Sequence, residues 1–201
     1  MKIRESPQNL ILMSKNYKPT GLELQNCVFP IHDSGEIIGQ GFIADSCFIT
    51  AAHVLNDFPL CKVNFNGKII ELSKYNPLYY GKGDYHDPNI LDVLIVHFDG
   101  INSPLHLSDY MPQKGETLES YCMHEVTDPT SLNPKCRLSM VPAYPLGKEE
   151  GNYLYCNCER FEGSSGSPLL KDDRVVGIMQ GGNGFGFCAF LKTKAITYLL
   201  K

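Results

Sequence analysis

Hydrophobic and polar residues alternate in short runs, and turn signals recur at intervals of about ten residues, which is the pattern of an all-β chain. Val28-Phe29-Pro30-Ile31-His32 and Glu36-Ile37-Ile38-Gly39-Gln40-Gly41-Phe42-Ile43-Ala44 are predicted as a strand pair turning at Asp33-Ser34-Gly35. Cys47-Phe48-Ile49-Thr50 reads as a short apolar strand, and Ala51-Ala52-His53-Val54-Leu55 has the composition of one helical turn. Asn66-Gly67 is the strongest hairpin signal in the chain and joins Cys61–Phe65 to Lys68–Leu72. Ser73 to Asn89, rich in Tyr, Gly, Pro and Asp, reads as a long loop, and Asp92–Phe98 as a buried strand. Pro104 to Gly115 is the expected connection between two halves. Beyond it, strands are predicted near Leu118–His124, Arg137–Tyr144, Tyr153–Glu159, Ser167–Lys171, Arg174–Gln180 and Gly186–Leu191. A closing helix is expected over 193–200, with Thr193 as N-cap and Ile196, Leu199 and Leu200 on its apolar face.

Two stacks of about six strands around one middle connection fit a double β-barrel. The expected organisation is an arm over 1–24, with one short strand around Leu10–Met13, and a single domain over 25–201. Within that domain the N-terminal barrel covers about 25–105 and the C-terminal barrel about 115–190.

Composition sharpens the class. Of 201 residues, 43% are hydrophobic and 20% charged, as in an ordinary globular protein, and 18 Gly and 13 Pro suit a turn-rich plan. A net charge of -4 without a long basic run argues against nucleic acid as the main ligand. The apolar patch within Asn9–Met13 is too short for a signal-peptide core or a membrane span. The expectation is therefore a cytoplasmic protein with no membrane partner, and secretion by a route needing no signal stays open. In the cytoplasm the eight cysteines would be mostly reduced thiols.

The chemistry centres on Glu162-Gly163-Ser164-Ser165-Gly166-Ser167-Pro168. A glycine two residues before a serine lets the N–H groups of Gly163 and Ser165 converge on one point, beside the hydroxyl of Ser165. A serine nucleophile needs an adjacent base held by a third group. Among six histidines, His53 follows a buried strand on a turn of small residues that leaves an imidazole open to a cleft. Asp92 opens an apolar strand that would hold a carboxylate at the rim of a core, whereas Asp84 and Asp87 sit in the loop.

Thr50-Ala51-Ala52-His53, Asp92-Val93-Leu94-Ile95 and Gly163-Ser164-Ser165-Gly166-Ser167-Pro168 resemble, in this order, the three motifs of chymotrypsin-like serine endopeptidases. Gly39-Gln40-Gly41-Phe42-Ile43 and Val175-Val176-Gly177-Ile178 resemble the family's strands beside the histidine and after the serine, so the likeness spans roughly 25–200. In style the motifs are similar to bacterial glutamyl endopeptidases and high-temperature-requirement proteases. The resemblance implies a chymotrypsin-like double six-stranded barrel and a triad of His53, Asp92 and Ser165, with an oxyanion hole from Gly163 and Ser165. It implies no cofactor and a protein or peptide substrate. Three departures stand out. Val54 replaces the cysteine that follows the histidine in secreted trypsins. Ser164 stands where trypsins carry the aspartate of their zymogen switch, and Met179 where glutamyl endopeptidases carry a substrate-reading histidine.

By the same resemblance the S1 pocket draws on Glu159, Phe161, Met179, Gln180, Gly181 and Phe187, and Met179 to Gly181 would pair with an extended substrate. A buried Glu159 would favour a basic residue before the scissile bond; a solvent-facing Glu159 would leave an apolar preference. Cys122, His124, Cys156 and Cys158, each pair spaced by two on a strand, form an alternative zinc-ligand set. The functional expectation is a serine endopeptidase, the alternative a catalytically silent peptide-binding domain of the same fold. Without the trypsin switch, activity is expected to be held in check by a regulatory protein partner, by narrow specificity or by an incompletely formed site.

Overall fold

The computed structural model describes residue 24 and residues 26–65, 68–81, 87, 89–98, 103–126, 135–183 and 186–200. Strands β1 (Val28–Asp33) and β2 (Glu36–Ala44) form the predicted hairpin, whose turn residues Ser34 and Gly35 both take positive φ, 49° and 96°. That geometry matches the twist of the flanking strands. They are followed by β3 (Cys47–Thr50), β4 (Lys62–Phe65), β5 (Lys68–Glu71), β6 (Tyr79–Tyr80) and β7 (Leu94–His97). These seven form an antiparallel sheet in the order β5-β4-β1-β2-β3-β7-β6.

The second half contributes β8 (His106–Leu107), β9 (Leu118–Val126), β10 (Lys135–Glu150), β11 (Tyr153–Cys158), β12 (Pro168–Lys171), β13 (Arg174–Gly182) and β14 (Phe187–Lys192). Their order is β12-β9-β10-β11-β14-β13-β8, and the β12–β13 pairing closes six of them into a barrel. The first sheet curls without such a closing pair among the described residues.

Side-chain alternation explains why several strands read as continuous apolar runs. Phe29, Ile43, Phe48 and Val96 point into the first sheet's own core, whereas their sequence neighbours Val28, Phe42, Ile49 and Ile95 point into the seam between the sheets. Tyr153, Ile178, Leu191 and Ile196 fill that seam from the other side. Leu118, Cys156, Leu169, Val176 and Phe190 fill the closed barrel. Strands buried on both faces carry few polar residues, and one that does is informative.

Four expectations change. The closing segment is two 3₁₀ turns, Thr193–Ala195 and Thr197–Leu200, rather than one helix. Thr193 does not cap it, because its hydroxyl donates to the carbonyl of Val175 at 2.9 Å; Ile196 still reaches the seam, fully buried. The long loop after Ser73 contains β6, and the middle connection contains β8, paired in parallel with β13. Strand β10 runs twice as long as expected, through Pro142 and Pro145. Leu10–Met13 and Asn66-Gly67 lie outside the described residues. Among those described, no helix is long and apolar enough to cross a membrane.

Candidate active site

Sheet register brings His53 and Asp92 together. Thr50 at the end of β3 pairs with Leu94 at the start of β7, so the chain leaves both strands at the same edge. Three residues beyond Thr50 lies His53, in the short helix α1 (Ala52–Asp57), and two before Leu94 lies Asp92. Ala51 and Ala52 are fully buried, and their small side chains let α1 sit on the sheet. Asp92, also fully buried, accepts two hydrogen bonds from one residue. The His53 amide reaches Oδ1 at 2.8 Å and ring Nδ1 reaches Oδ2 at 2.6 Å. This clamp makes Nδ1 the protonated nitrogen and Nε2 the acceptor. The buried carboxylate is felt nearby: the phenol of Tyr153 is pushed far above its usual range, by burial first and then by Asp92.

Ser165 sits in the loop that leads into β12. Gly163 and Gly166 have φ of 72° and 88°, a region open to glycine without strain. Close approach adds a second constraint at Gly166, where a Cβ would stand 1.9 Å from the Gln40 carbonyl oxygen. Three of the loop's amides are taken: Ser164 donates to Phe161, Gly166 to Met179 and Ser167 to Ser164. The amides of Gly163 and Ser165 have no such partner among the described residues. The Ser165 hydroxyl donates to the carbonyl of Gln180 at 3.2 Å.

Gln40 joins these pieces, a role that sequence reasoning did not assign. It is fully buried in β2, its amide donates to the Ser165 carbonyl at 2.7 Å, and its own carbonyl accepts the Thr50 hydroxyl at 2.5 Å. Its side-chain Oε1 accepts the Met123 amide at 2.7 Å and lies 3.1 Å from the Ser167 hydroxyl, while Nε2 donates to the Met123 carbonyl at 2.5 Å. The nucleophile candidate is thereby tied through Gln40 and Thr50 to the strand that leads to His53. A glutamine between two glycines in a doubly buried strand was the available signal.

The expected S1 residues are distributed unevenly. Met179 and Gln180 are buried, Gly181 lies beside them on β13, and Phe161 packs against the barrel core. Phe187 stacks on Tyr155 with centroids 5.0 Å apart, under the Lys148 ammonium. Glu159 is exposed, so the buried acid that would select a basic residue is not formed. Its neighbour Arg160 instead reaches across to β13, donating from Nη1 to the Gly182 carbonyl at 2.8 Å.

The alternative zinc set is not assembled. Among the described residues no three His, Cys, Asp or Glu side chains are placed to hold a metal. Cys122, Cys156 and Cys158 are buried thiols, and His124 stacks on Phe161 at 4.7 Å with its Nδ1 sealed and unpaired. The Cys158 thiol is pushed up, chiefly by its hydrogen bond with Cys188 and by burial, while that bond and the charge of Arg160 draw Cys188 down. The Ser164 hydroxyl is likewise buried without a partner.

No protein-family model matches the chain, and neither does any curated protein sequence. Solved structures do. Neuropsin, a serine protease expressed in the limbic system of mouse brain, superposes with a TM-score of 0.64 at 18% identity, over 90% of this chain and 95% of that one. Human heparin binding protein gives 0.64 at 14% identity, over 89% and 90%. The Rv3671c protease of M. tuberculosis in its active form gives 0.60 at 18% identity, over 92% and 87%. The chain therefore has the chymotrypsin-like fold, and the likeness runs over nearly the whole of it.

Proposed function

We propose that this protein is a serine endopeptidase. The observation that carries the reading is the His53–Asp92 clamp, held on the strand system to which Gln40 ties the Ser165 loop. In the proposed reaction His53 Nε2 takes the proton of Ser165 Oγ as that oxygen bonds to the peptide carbonyl carbon. The oxyanion is held by the amides of Gly163 and Ser165. The same proton passes to the leaving amine as the C–N bond breaks, and water then hydrolyses the acyl ester with His53 again as base. Asp92 keeps the imidazole in the required tautomer and stabilises its cationic form. The substrate is a peptide or protein, and no cofactor takes part in these steps.

The test is active-site labelling with a fluorophosphonate and hydrolysis of a peptide library, for wild type and Ser165→Ala. Wild type is expected to label and cleave, and Ser165→Ala to do neither; cleavage by Ser165→Ala at the parent rate ends the proposal. A second reading, a peptide-binding domain without catalysis, is supported by the Ser165 hydroxyl bonding to the Gln180 carbonyl. It predicts an unlabelled Ser165 in a folded protein.

A further inference from the structure

Past Met179, whose amide and carbonyl bond Ser167 and Gly166, strand β13 is paired with β14 alone among the described residues, through Gly181 opposite Ala189 and Gly182 opposite Cys188. Main-chain acceptors at such an edge are where an extended peptide adds as a further strand. Two of them are already taken by side chains from the segment between β11 and β12. The Gln180 carbonyl holds the Ser165 hydroxyl, and the Gly182 carbonyl holds Arg160 Nη1 at 2.8 Å. The Arg160 stem lies close against the strand, its Cδ 3.3 Å from where a Cβ on Gly182 would stand. A peptide N–H that takes the Gly182 carbonyl competes there with this guanidinium.

The displaced group then needs an acceptor. Guanidinium carries five N–H donors and no acceptor, and a carboxylate is a stronger, bidentate partner for it than a neutral carbonyl. Among the described residues Arg160 forms no ion pair, although Glu159 and Glu162 are neighbours in sequence and exposed. Its charge is therefore available to an incoming chain.

We propose that Arg160 is a specificity-determining residue: it caps the Gly182 carbonyl and selects peptides with a carboxylate within three residues on the acyl side of the scissile bond. Such a peptide supplies an N–H to Gly182 and a carboxylate to the released guanidinium, so each broken contact is replaced. A neutral peptide replaces only one of the two. A basic peptide replaces one and adds like-charge repulsion. This assignment rests on the reading of the same site as a peptide-cleaving centre.

Binding by the full chain carrying Ser165→Ala, which performs no chemistry, tests the assignment separately from catalysis. Fluorescent hexapeptides with Glu, Gln or Lys at each of the three acyl-side positions are titrated against Ser165→Ala with and without Arg160→Gln. With Arg160 present, the Glu peptide at one or more of these positions is expected to bind about fivefold tighter than its Gln counterpart, the scale of an exposed ion pair. In Arg160→Gln, which keeps a donor but no charge, the ratio is expected to fall to about one. Arg160→Lys keeps the charge and is expected to hold a ratio of about three. Equal binding of Glu and Gln peptides by the Arg160 protein overturns the assignment, as does a preference that survives in Arg160→Gln or vanishes in Arg160→Lys. If wild type shows the preference yet neither labels nor cleaves, the endopeptidase reading fails while the Arg160 assignment stands. If wild type cleaves peptides without regard to acidic residues, the reverse holds.

Discussion

The amide of Gln40 donates to the carbonyl of Ser165 at 2.7 Å, main chain to main chain across the seam between the two sheets. Every polar atom of Gln40 is engaged, and its side chain alone serves Met123 twice. Gln40→Leu keeps much of the volume but leaves the Met123 amide and carbonyl unpaired inside the protein. Leaving buried polar groups unpaired costs about 1–3 kcal/mol each. Gln40→Leu is therefore expected to lose about 2–4 kcal/mol of stability. Urea denaturation measures the loss, and a change below about 0.5 kcal/mol would show that the side chain is not the tie described.

Gly166 and Gly35 separate close approach from backbone strain. Both have positive φ, 88° and 96°, yet a Cβ on Gly166 meets the Gln40 carbonyl at 1.9 Å, whereas one on Gly35 meets nothing within 4 Å. Gly35→Ala is expected to cost about 1 kcal/mol, the left-handed penalty alone. Gly166→Ala must also push the loop off β2, with an expected cost above about 3 kcal/mol and loss of fluorophosphonate labelling. Similar denaturation midpoints for the two variants would contradict this account.

What was legible in the sequence follows from how local each determinant is. The β1–β2 hairpin was readable because its turn lies between two apolar runs, and Thr50–His53 because a buried strand gives way to small residues. Strand β10 extends past its expected end at Tyr144, through Pro145 to Glu150. In the structure Pro142 pairs only with Glu119 of β9 and Pro145 only with Cys156 of β11, so each missing N–H falls on one ladder, with a register shift after Pro145. Gln40 and Arg160 were illegible as functional residues because their meaning lies in partners 83 and 22 positions away, fixed by sheet register. Glu159 shows the converse, since its place in the sequence left burial and exposure both open and only the fold turns it to solvent.

Asp92→Asn tests the clamp on His53. The amide is close in shape to the carboxylate, so the fold is expected to persist, but it offers a donor where Asp92 accepts from both the His53 amide and Nδ1. The ring is then driven toward the tautomer whose Nε2 cannot take the Ser165 proton. The expected loss is about 10³–10⁴-fold in kcat, with KM changed far less. Rates within tenfold of wild type would remove Asp92 from the proposed mechanism.

Ser164 and Ser167, three residues apart and both fully buried, should respond to the same substitution with opposite signs. The Ser167 hydroxyl donates to the Ser164 carbonyl at 2.7 Å and lies 3.1 Å from Gln40 Oε1. The Ser164 hydroxyl has no partner. Ser167→Ala loses a satisfied bond and is expected to destabilise by about 1–2 kcal/mol. Ser164→Ala removes a buried polar atom that nothing compensates, and Ala fits wherever Ser does, so stability is expected to rise by about 1 kcal/mol. Paired urea melts of the two variants decide the point. A loss in Ser164→Ala matching that of Ser167→Ala would mean that the Ser164 hydroxyl acquires a partner in solution.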